Sequence, residues 1–253
     1  ITLRLYTFVI VWIALHMTAL GQIFSAKGQL WGSGLLSDDP AEDESFYETQ
    51  VGYIPTLSLS WGLKNDQLLD MEWAYRVNRA YSGDVLLERG GKHYRGWLRY
   101  STPKIEARLG LQKITFGPAQ FLRPTSWFDT IDLRDPTGQT DGVEAFRLRF
   151  FPSRTVSIWS WAINGERDTL SYGGRTELSH ASGDWGITYH RDPTFISQQV
   201  GLLPIVMSGP HNRFALDYRY DGYIGFWFEG SILISEENNF TGFNRYTIIG
   251  TGG

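Results

Sequence analysis

Apolar and polar residues alternate along most of this chain, and this alternation limits the fold more than any other feature. From residue 50 onward the period is two, and the 3.6-residue spacing of an amphipathic helix is almost absent. A period of two places successive side chains on opposite faces of a β-strand. The runs predicted as strands cover 50–61, 68–81, 93–101, 104–112, 143–151, 154–163, 174–181, 184–190, 212–220 and 223–234, with a further run from Arg245 and a weaker one over 28–36. Many fit the roughly 9–11 residues of a tilted membrane strand better than the 5–6 residues usual in soluble sheets.

The connectors between these runs alternate between short and long. Short turns are predicted at 101–104, 151–155, 181–184 and 220–223, and long connectors at 82–92, 113–142, 164–173, 191–211 and 235–244. Asp221-Gly222 lies between two alternating runs and predicts a two-residue hairpin, because both central residues of that turn need positive φ. Short turns at one rim and long loops at the other are typical of a barrel, whereas a Greek-key sandwich has no reason to alternate in this way.

The two faces of the predicted strands differ in chemistry. One face is apolar, with aromatic residues near strand ends, and includes Trp73, Tyr75, Tyr94, Leu98, Leu109, Phe146, Leu148, Ile187, Phe214, Phe226 and Phe228. The opposite face carries Asp70, Glu72, Arg76, His93, Arg95, Arg99, Glu106, Arg108, Arg147, Arg149, Arg213, Asp217, Arg219 and Glu229. Burying so many ions in a soluble core would cost several kcal/mol for each one. We therefore predict an antiparallel up-and-down transmembrane β-barrel of about 11–12 strands, with the charged face toward water and the aromatic face toward lipid.

Residues 1–21 have the composition of a secretory signal peptide. A basic start, an apolar run over 5–20 and small residues just before Gln22 predict cleavage at that point. A membrane anchor is the less favoured alternative, because the run is shorter than the roughly 20 residues that a bilayer requires. Residues 22–49 are predicted as an N-terminal segment with a weak strand and an acidic loop, and residues 50–253 as the barrel.

The longest connector, 113–142, is the main candidate for a functional element. It carries Arg123, Asp129, Asp132, Arg134, Asp135 and Asp141, together with aromatic residues and three prolines. A loop of this length is unusual unless it is functional or packed against the fold. Folded into a barrel, it would narrow the channel, and facing Arg and Asp side chains would select solutes by charge. The alternative is a structural plug, in which Arg–Asp pairs tie the loop to the inner wall.

The predicted inner wall is rich in arginine. Eight arginines are assigned to it, namely Arg76, Arg95, Arg99, Arg108, Arg147, Arg149, Arg213 and Arg219. They outnumber the acidic residues of the same face, although the whole chain has a net charge of −4. A positive lumen would favour anions or acidic sugars. The alternative is that Arg and Asp or Glu side chains pair across strands and stiffen the wall, and both hypotheses stay open.

The composition argues against other functions. The chain has no cysteine, which excludes disulfides and thiolate metal sites, and its negative charge gives no support for nucleic-acid binding. A glycosidase pair among Asp129, Asp132 and Asp135 beside Trp127 is a weak alternative, because loops commonly contain Asp for turn geometry. The histidines lack metal-ligand spacing, and Ser126 lacks a nucleophile-elbow setting. We predict no enzyme activity, no metal and no cofactor.

The segment FGPAQFLRPTSWFDTIDLRDPTGQTDGV at 116–143 resembles part of the bacterial outer-membrane porin-type β-barrels, including the alginate-export-like group. Those proteins carry a W/F-G…D-x-x-(N/D)-x-R-D-P pattern between an early pair of strands. The resemblance implies a single-domain barrel in the outer membrane of a Gram-negative cell, surrounded by lipid and inserted by the outer-membrane assembly machinery. It also implies a channel for small hydrophilic solutes, and it leaves homo-oligomerisation open. The last residues, RYTIIGTGG, lack the terminal aromatic residue of that group, so closing strands are expected beyond them.

Two other functions remain as alternatives to a channel. The first is a non-channel outer-membrane barrel that serves as a structural, assembly or adhesion protein. A continuous water path through the lumen would separate it from a channel. The second is a secreted soluble carbohydrate-binding β-sandwich, which requires two stacked sheets with the aromatic face inside.

Overall fold

A computed structural model describes residues 22–38, 45–120, 122–128, 137, 140–165, 169–195, 198–199, 206–207, 209–236 and 246–253. The chain forms β1 (Gln22–Leu36), β2 (Tyr47–Gly62), β3 (Leu68–Ser82), β4 (Val85–Ser101), β5 (Ile105–Gln112), β6 (Val143–Phe150), β7 (Val156–Asn164), β8 (Leu170–His180), β9 (Gly183–Asp192), β10 (Gln198–Gln199), β11 (Val206–Met207), β12 (His211–Tyr220), β13 (Phe226–Ser235) and β14 (Tyr246–Gly252). In this described part of the chain, no helix is both long enough and apolar enough to cross a membrane. The signal-peptide prediction for 1–21 falls outside the described residues.

Twelve of the strands form one antiparallel sheet in the order β1-β2-β3-β4-β5-β6-β7-β8-β9-β12-β13-β14. In the chain, the short strands β10 and β11 come after β9 and before β12, and they form a separate two-stranded sheet. Each large strand therefore pairs with its neighbours in chain order, and the predicted all-β, up-and-down fold is confirmed. Over the described residues, β1 and β14 are not paired with each other, so the sheet is not closed.

Hydrophobic alternation located most strands closely. The bounds of β3, β5, β6 and β12 lie within one residue of the predicted runs. β1 is longer than predicted, because it pairs with β2 from Gln22 opposite Trp61 to Leu36 opposite Tyr47. β1, which lies before residue 50, therefore belongs to the same sheet as the strands that follow it.

Three predicted connectors differ in length from the observed ones. The long connector predicted over 164–173 is wrong, because β7 and β8 are joined by the short connection 165–169. β3 and β4 are joined by a tight turn at 83–84, where Gly83 has a φ of 57°, so the long connector predicted over 82–92 is wrong. The pairing of β3 with β4 continues over residues 85–92, although Gly90 and Gly91 interrupt the alternation of apolar and polar side chains. β12 and β13 are joined by 221–225, and neither residue of Asp221-Gly222 has positive φ. The two-residue hairpin predicted at that position is therefore also wrong.

The two rims of the sheet still differ. The connections 63–67, 102–104, 151–155, 181–182 and 221–225 all lie at one end, which we call the short-turn rim. The opposite end, the loop rim, carries the connections 37–46, 113–142, 193–210 and 236–245, together with short turns at 83–84 and 165–169. All of the long connections thus share one rim, as expected for a two-ended wall.

The sheet curls around the connection that follows β5. Side chains of this connection pack against β7 through Phe116 and Trp161, and against β13 through Trp127 and Leu233. Because one short segment reaches strands so far apart in the sheet order, the face that it contacts is concave. The convex face exposes large apolar side chains, among them Met71, Trp73, Leu98, Ile105, Leu109, Phe146, Ile158, Tyr172, Trp185, Ile187, Phe214, Leu216, Phe226 and Phe228.

A bulge in β4 reverses the predicted faces of two residues. The register shifts next to Ala74, which pairs with Arg95, and this leaves Tyr94 as an extra residue. Tyr94 is buried against Ala74 on the concave face, while His93 packs against the ring of Trp73 on the convex face. The predictions of an outward Tyr94 and an inward His93 are wrong, because a bulge shifts the alternation by one residue.

Candidate functional site

The described residues after β5, 113–120 and 122–128, form an inward segment that lies on the concave face. Phe116 is buried in this segment, and its ring centroid lies 5.7 Å from that of Trp159 and 5.1 Å from that of Trp161. Ile114 completes this cluster with Ala145 and Ile163. The beginning of the segment is therefore fixed to β6 and β7 by apolar and aromatic packing.

The end of the same segment packs against the far side of the concave face. Trp127 is buried with Ala215 of β12 and Leu233 of β13. The ring of Phe128 lies 4.7 Å from that of His190, in an edge-to-face arrangement. These contacts make the inward segment the core of this half of the molecule.

Glu229 of β13 anchors the middle of the inward segment. Its carboxylate accepts hydrogen bonds from the backbone N–H of Ala119 at 3.0 Å, from the N–H of Thr125 at 2.7 Å and from the Thr125 hydroxyl at 2.6 Å. The Glu229 residue is 0 % exposed, and no cationic side chain contacts it among the described residues. Gly117 has a φ of 76°, and a Cβ there would lie 2.1 Å from Glu229 Oε2, so the approach of this carboxylate requires glycine.

Two arginines make further hydrogen bonds that stabilise the inward segment. Arg123 is buried, and its guanidinium donates to the Thr115 hydroxyl. Arg213 of β12 donates to the Trp127 carbonyl at 3.4 Å and to Asp192 at 3.0 Å. The predicted plug used Arg–Asp pairs between loop and wall. Among the described residues the attachment uses a wall carboxylate, Glu229, and a wall arginine, Arg213, that bind loop backbone, and the Asp129, Asp132, Arg134 and Asp135 side chains of the predicted plug lie outside the described residues.

The other end of the 113–142 connection returns along β4. Tyr94 donates to the carbonyl of Thr140 at 3.0 Å, and Arg95 donates to the same carbonyl at 2.8 Å. Asp141 forms an ion pair with Lys92 at 2.8 Å, with both side chains more than half exposed. Arg123 and Asp141, both predicted for the constriction, thus lie at different ends of the connection.

Four of the predicted wall arginines gather around Glu106 on the concave face of β4, β5 and β6. Arg147 contacts its carboxylate at 2.9 Å, Arg99 at 3.5 Å and Arg108 at 3.8 Å. Arg99 also binds Asp70 at 2.6 Å. The fourth, Arg149, makes no ion pair among the described residues. In this arginine cluster (Arg99, Arg108, Arg147 and Arg149), ion pairs are made only with the carboxylates of Glu106 and Asp70, and the carboxylates of Glu72 and Glu177 lie beside the cluster on the indole N–H groups of Trp97 and Trp159.

Tryptophan rings pack against the arginine cluster. The guanidinium carbon of Arg108 lies 4.3 Å from the ring centroid of Trp97, and that of Arg149 lies 3.9 Å from the centroid of Trp159. These distances fit cation–π interactions, which orient the guanidinium planes. The Nε atoms of Arg108, Arg147 and Arg149 are buried without a hydrogen-bond partner. The cluster thus keeps donor capacity that Glu106 and Asp70 do not satisfy.

The concave face of β8 is organised by Arg175, which was not among the site residues predicted from the sequence. Arg175 is buried and binds Asp217 with two hydrogen bonds of 2.5 and 2.9 Å, and it binds Glu177 at 2.8 Å. A cavity of about 340 Å³ lies between these side chains and residues 115–118 of the inward segment, and Asp184 also lines it. In the sequence, Arg175 and Glu177 alternate with the outward residues Thr176 and Leu178. This alternation was the available signal that Arg175 and Glu177 point inward.

The remaining predicted site residues are dispersed over the sheet or lie outside the described residues. Asp129, Asp132, Arg134 and Asp135 lie outside the described residues. Arg219 is exposed at the short-turn rim and pairs with Asp221 at 2.8 Å. Arg76 stacks on the Trp31 ring at 5.0 Å, away from the arginine cluster. Over the described residues, no group of three His, Asp or Glu side chains is arranged to hold a metal ion.

The arrangement can sort solutes by charge. The arginine cluster lies on β4 to β6, the Glu177 and Asp217 carboxylates lie on β8 and β12, and residues 115–118 of the inward segment lie beside these two carboxylates. A solute that passes along the concave face would meet fixed charges in a low-dielectric setting, where their effect exceeds that in bulk water. A scan against protein-family models finds no match to this chain, and a search of curated proteins finds no similar sequence.

Proposed function

We propose that this chain forms the wall and inward loop of an outer-membrane, porin-like channel for small hydrophilic solutes, with a preference for anions. The observation that supports this proposal best is the inverted polarity of the sheet. Phe226, Phe228 and Trp73 of the convex face are 49 %, 40 % and 37 % exposed, while charged side chains occupy the concave face. An apolar surface of this extent is unfavourable in water and favourable in lipid.

The anion preference rests on the arginine cluster. Three of its four arginines contact two carboxylates, those of Glu106 and Asp70, and the fourth, Arg149, makes no ion pair among the described residues. A surplus of fixed positive charge raises the local concentration of anions and lowers that of cations. In a bilayer the edges of β1 and β14 also need strand partners, because unpaired backbone groups cannot face lipid. These partners can come from this chain or from another copy.

Planar-bilayer recording of the purified protein tests the proposal. We expect stepwise conductance increases on insertion and, in a potassium chloride gradient, a reversal potential of the sign given by chloride permeation. A cation-selective reversal potential would overturn the anion preference. Protein that inserts into bilayers and gives no conductance would overturn the channel.

A plugged, non-channel barrel is the second candidate, and one observation favours it. The inward segment is held by Glu229 and by two aromatic clusters, so it fills much of the concave face. Exclusion of neutral polymers of increasing size from the lumen separates the candidates, because a plug excludes even the smallest of them. No second layer packs on the large sheet in the described residues, which gives no support to the sandwich alternative.

A further inference from the structure

We propose that the inward segment carries a carboxylate-binding nest, formed by donors of Ala119 and Thr125 beside Gly117, and that Glu229 fills this nest as a built-in ligand. The contact between them would then be autoinhibitory, because occupancy of the nest by a carboxylate keeps the segment against the concave face. The nest itself depends only on the geometry described above. Its effect on solute passage rests on the proposed channel function.

The donors of the nest are preorganised for a carboxylate. The N–H groups of Ala119 and Thr125 and the Thr125 hydroxyl converge on the two oxygens of Glu229 at 2.6 to 3.0 Å. Convergent backbone N–H groups form anion sites in many proteins without any cationic side chain. Gly117, with its positive φ, removes the Cβ that would otherwise meet the carboxylate.

The side chains around Glu229 indicate that its carboxylate binds the loop and is not part of an ion pair. The carboxylates of Asp217 and Asp192 on the same concave face are bound by Arg175 and Arg213. Among the described residues, Glu229 has only the donors of the inward segment. Its partners are all on residues 119 and 125, so detachment of the segment would leave this carboxylate unsatisfied.

The chemistry suggests a direct complementation experiment. Truncation of Glu229 to Ala removes one methylene and the carboxylate, which together correspond to acetate. We expect Glu229→Ala to lower the Tm in detergent by roughly 5–10 °C, and millimolar acetate to restore much of this loss. Acetamide, which is similar in shape but has no charge, is expected to have no effect. Glu144→Ala, at an exposed acid of β6 outside the nest, is the control and is expected to show no dependence on acetate.

A second measurement connects the nest to conduction. In planar bilayers, Glu229→Ala is expected to conduct more than the wild type in chloride, and acetate is expected to reduce this conductance while acetamide does not. If acetate raises the Tm of Glu229→Ala no more than that of Glu144→Ala, the nest is disproved. If acetate restores the Tm but leaves a measurable conductance unchanged, the nest is supported and the autoinhibitory role fails, while the channel stands. If neither the wild type nor Glu229→Ala conducts after insertion, the proposed channel fails, and the Tm measurements still decide whether the nest exists.

Discussion

Thr125 and Glu229 are 104 positions apart in sequence, and they are joined by two hydrogen bonds of 2.7 and 2.6 Å to one carboxylate oxygen. One bond comes from the backbone and the other from the side chain of Thr125. Residue 125 belongs to the inward segment and residue 229 to β13, so this pair fixes the loop to the far side of the concave face. The first prediction concerns this pair.

Thr125→Val removes the hydroxyl donor and keeps the backbone donor and the side-chain shape. We expect a loss of about 1–3 kcal/mol in the free energy of unfolding, because the variant removes the hydroxyl that lies 2.6 Å from the buried Glu229 carboxylate and 3.0 Å from the Phe116 carbonyl. Thermal unfolding in detergent measures this loss. Thr176→Val makes the same chemical change on the exposed convex face of β8 and should have little effect. Equal effects of the two variants would show that the hydroxyl contact does not hold the loop.

Arg149 offers the cleanest test of the anion preference. It makes no ion pair among the described residues, so Arg149→Gln removes a positive charge without leaving a carboxylate unpaired. The anion-to-cation permeability ratio should fall, and Arg149→Glu should lower it further. Reversal potentials in a salt gradient report both changes. Arg219→Gln, at the exposed rim pair with Asp221, should change the ratio less, and a larger change at Arg219 would place the selective region at the short-turn rim.

Ile187 tests the solvent of the convex face. Its side chain lies in the middle of β9 and is 63 % exposed. In water, Ile187→Arg should change stability by no more than about 0.5 kcal/mol. In lipid it should cost about 2–4 kcal/mol. Folding titrations in lipid vesicles measure the difference, with Tyr223→Arg, in the fully exposed 221–225 connection, as the tolerated control. A negligible cost for Ile187→Arg would contradict burial of this face in lipid.

Glu236, just after β13 at the loop rim, predicts a pH dependence. Hydrogen bonds from Arg191 at 2.9 and 3.0 Å, and from Asn212 at 2.9 Å, lower the pKa of the Glu236 carboxyl below its ordinary value of 4.5. A lowered pKa in the folded state means that the stabilisation is complete above the unfolded pKa and is lost as the pH falls through the folded one. The wild type should therefore be more stable than Glu236→Gln at pH 7, and the difference should shrink toward pH 3. A difference that stays constant across this range would show that the carboxylate does not contribute.

The sequence predicted the strands well where side chains alternate cleanly between water and an apolar phase. β5 and β6 were located within one residue because every second side chain is apolar there. The hairpin at 83–84 was missed because ladder hydrogen bonds form regardless of side-chain pattern, and 85–92 carries little pattern. The bulge at Tyr94 was missed because a single extra residue leaves the composition unchanged and alters only the register.

The candidate site was predictable in its parts and not in its assembly. Inward placement of Arg99, Arg108, Arg147 and Glu229 followed from alternation alone. The contact between Glu229 and the backbone of residues 119 and 125 did not, because it depends on the curvature of the sheet and on a loop conformation with positive φ at Gly117. Backbone donors have no sequence signature, so the plug alternative considered only Arg–Asp pairs between the loop and the wall.

The central claim is that the convex face lies in lipid and the concave face in water, and spin labelling in bilayers tests it most directly. The chain contains no cysteine, so single cysteines at Ile187, Leu216, Arg149 and Trp159 can each carry one nitroxide without background. For reconstituted protein, we predict that labels at 187 and 216 collide mainly with oxygen, which concentrates in lipid, and that labels at 149 and 159 collide mainly with a water-soluble nickel chelate. Greater access of the nickel chelate to 187 and 216 than to 149 and 159 would contradict the account.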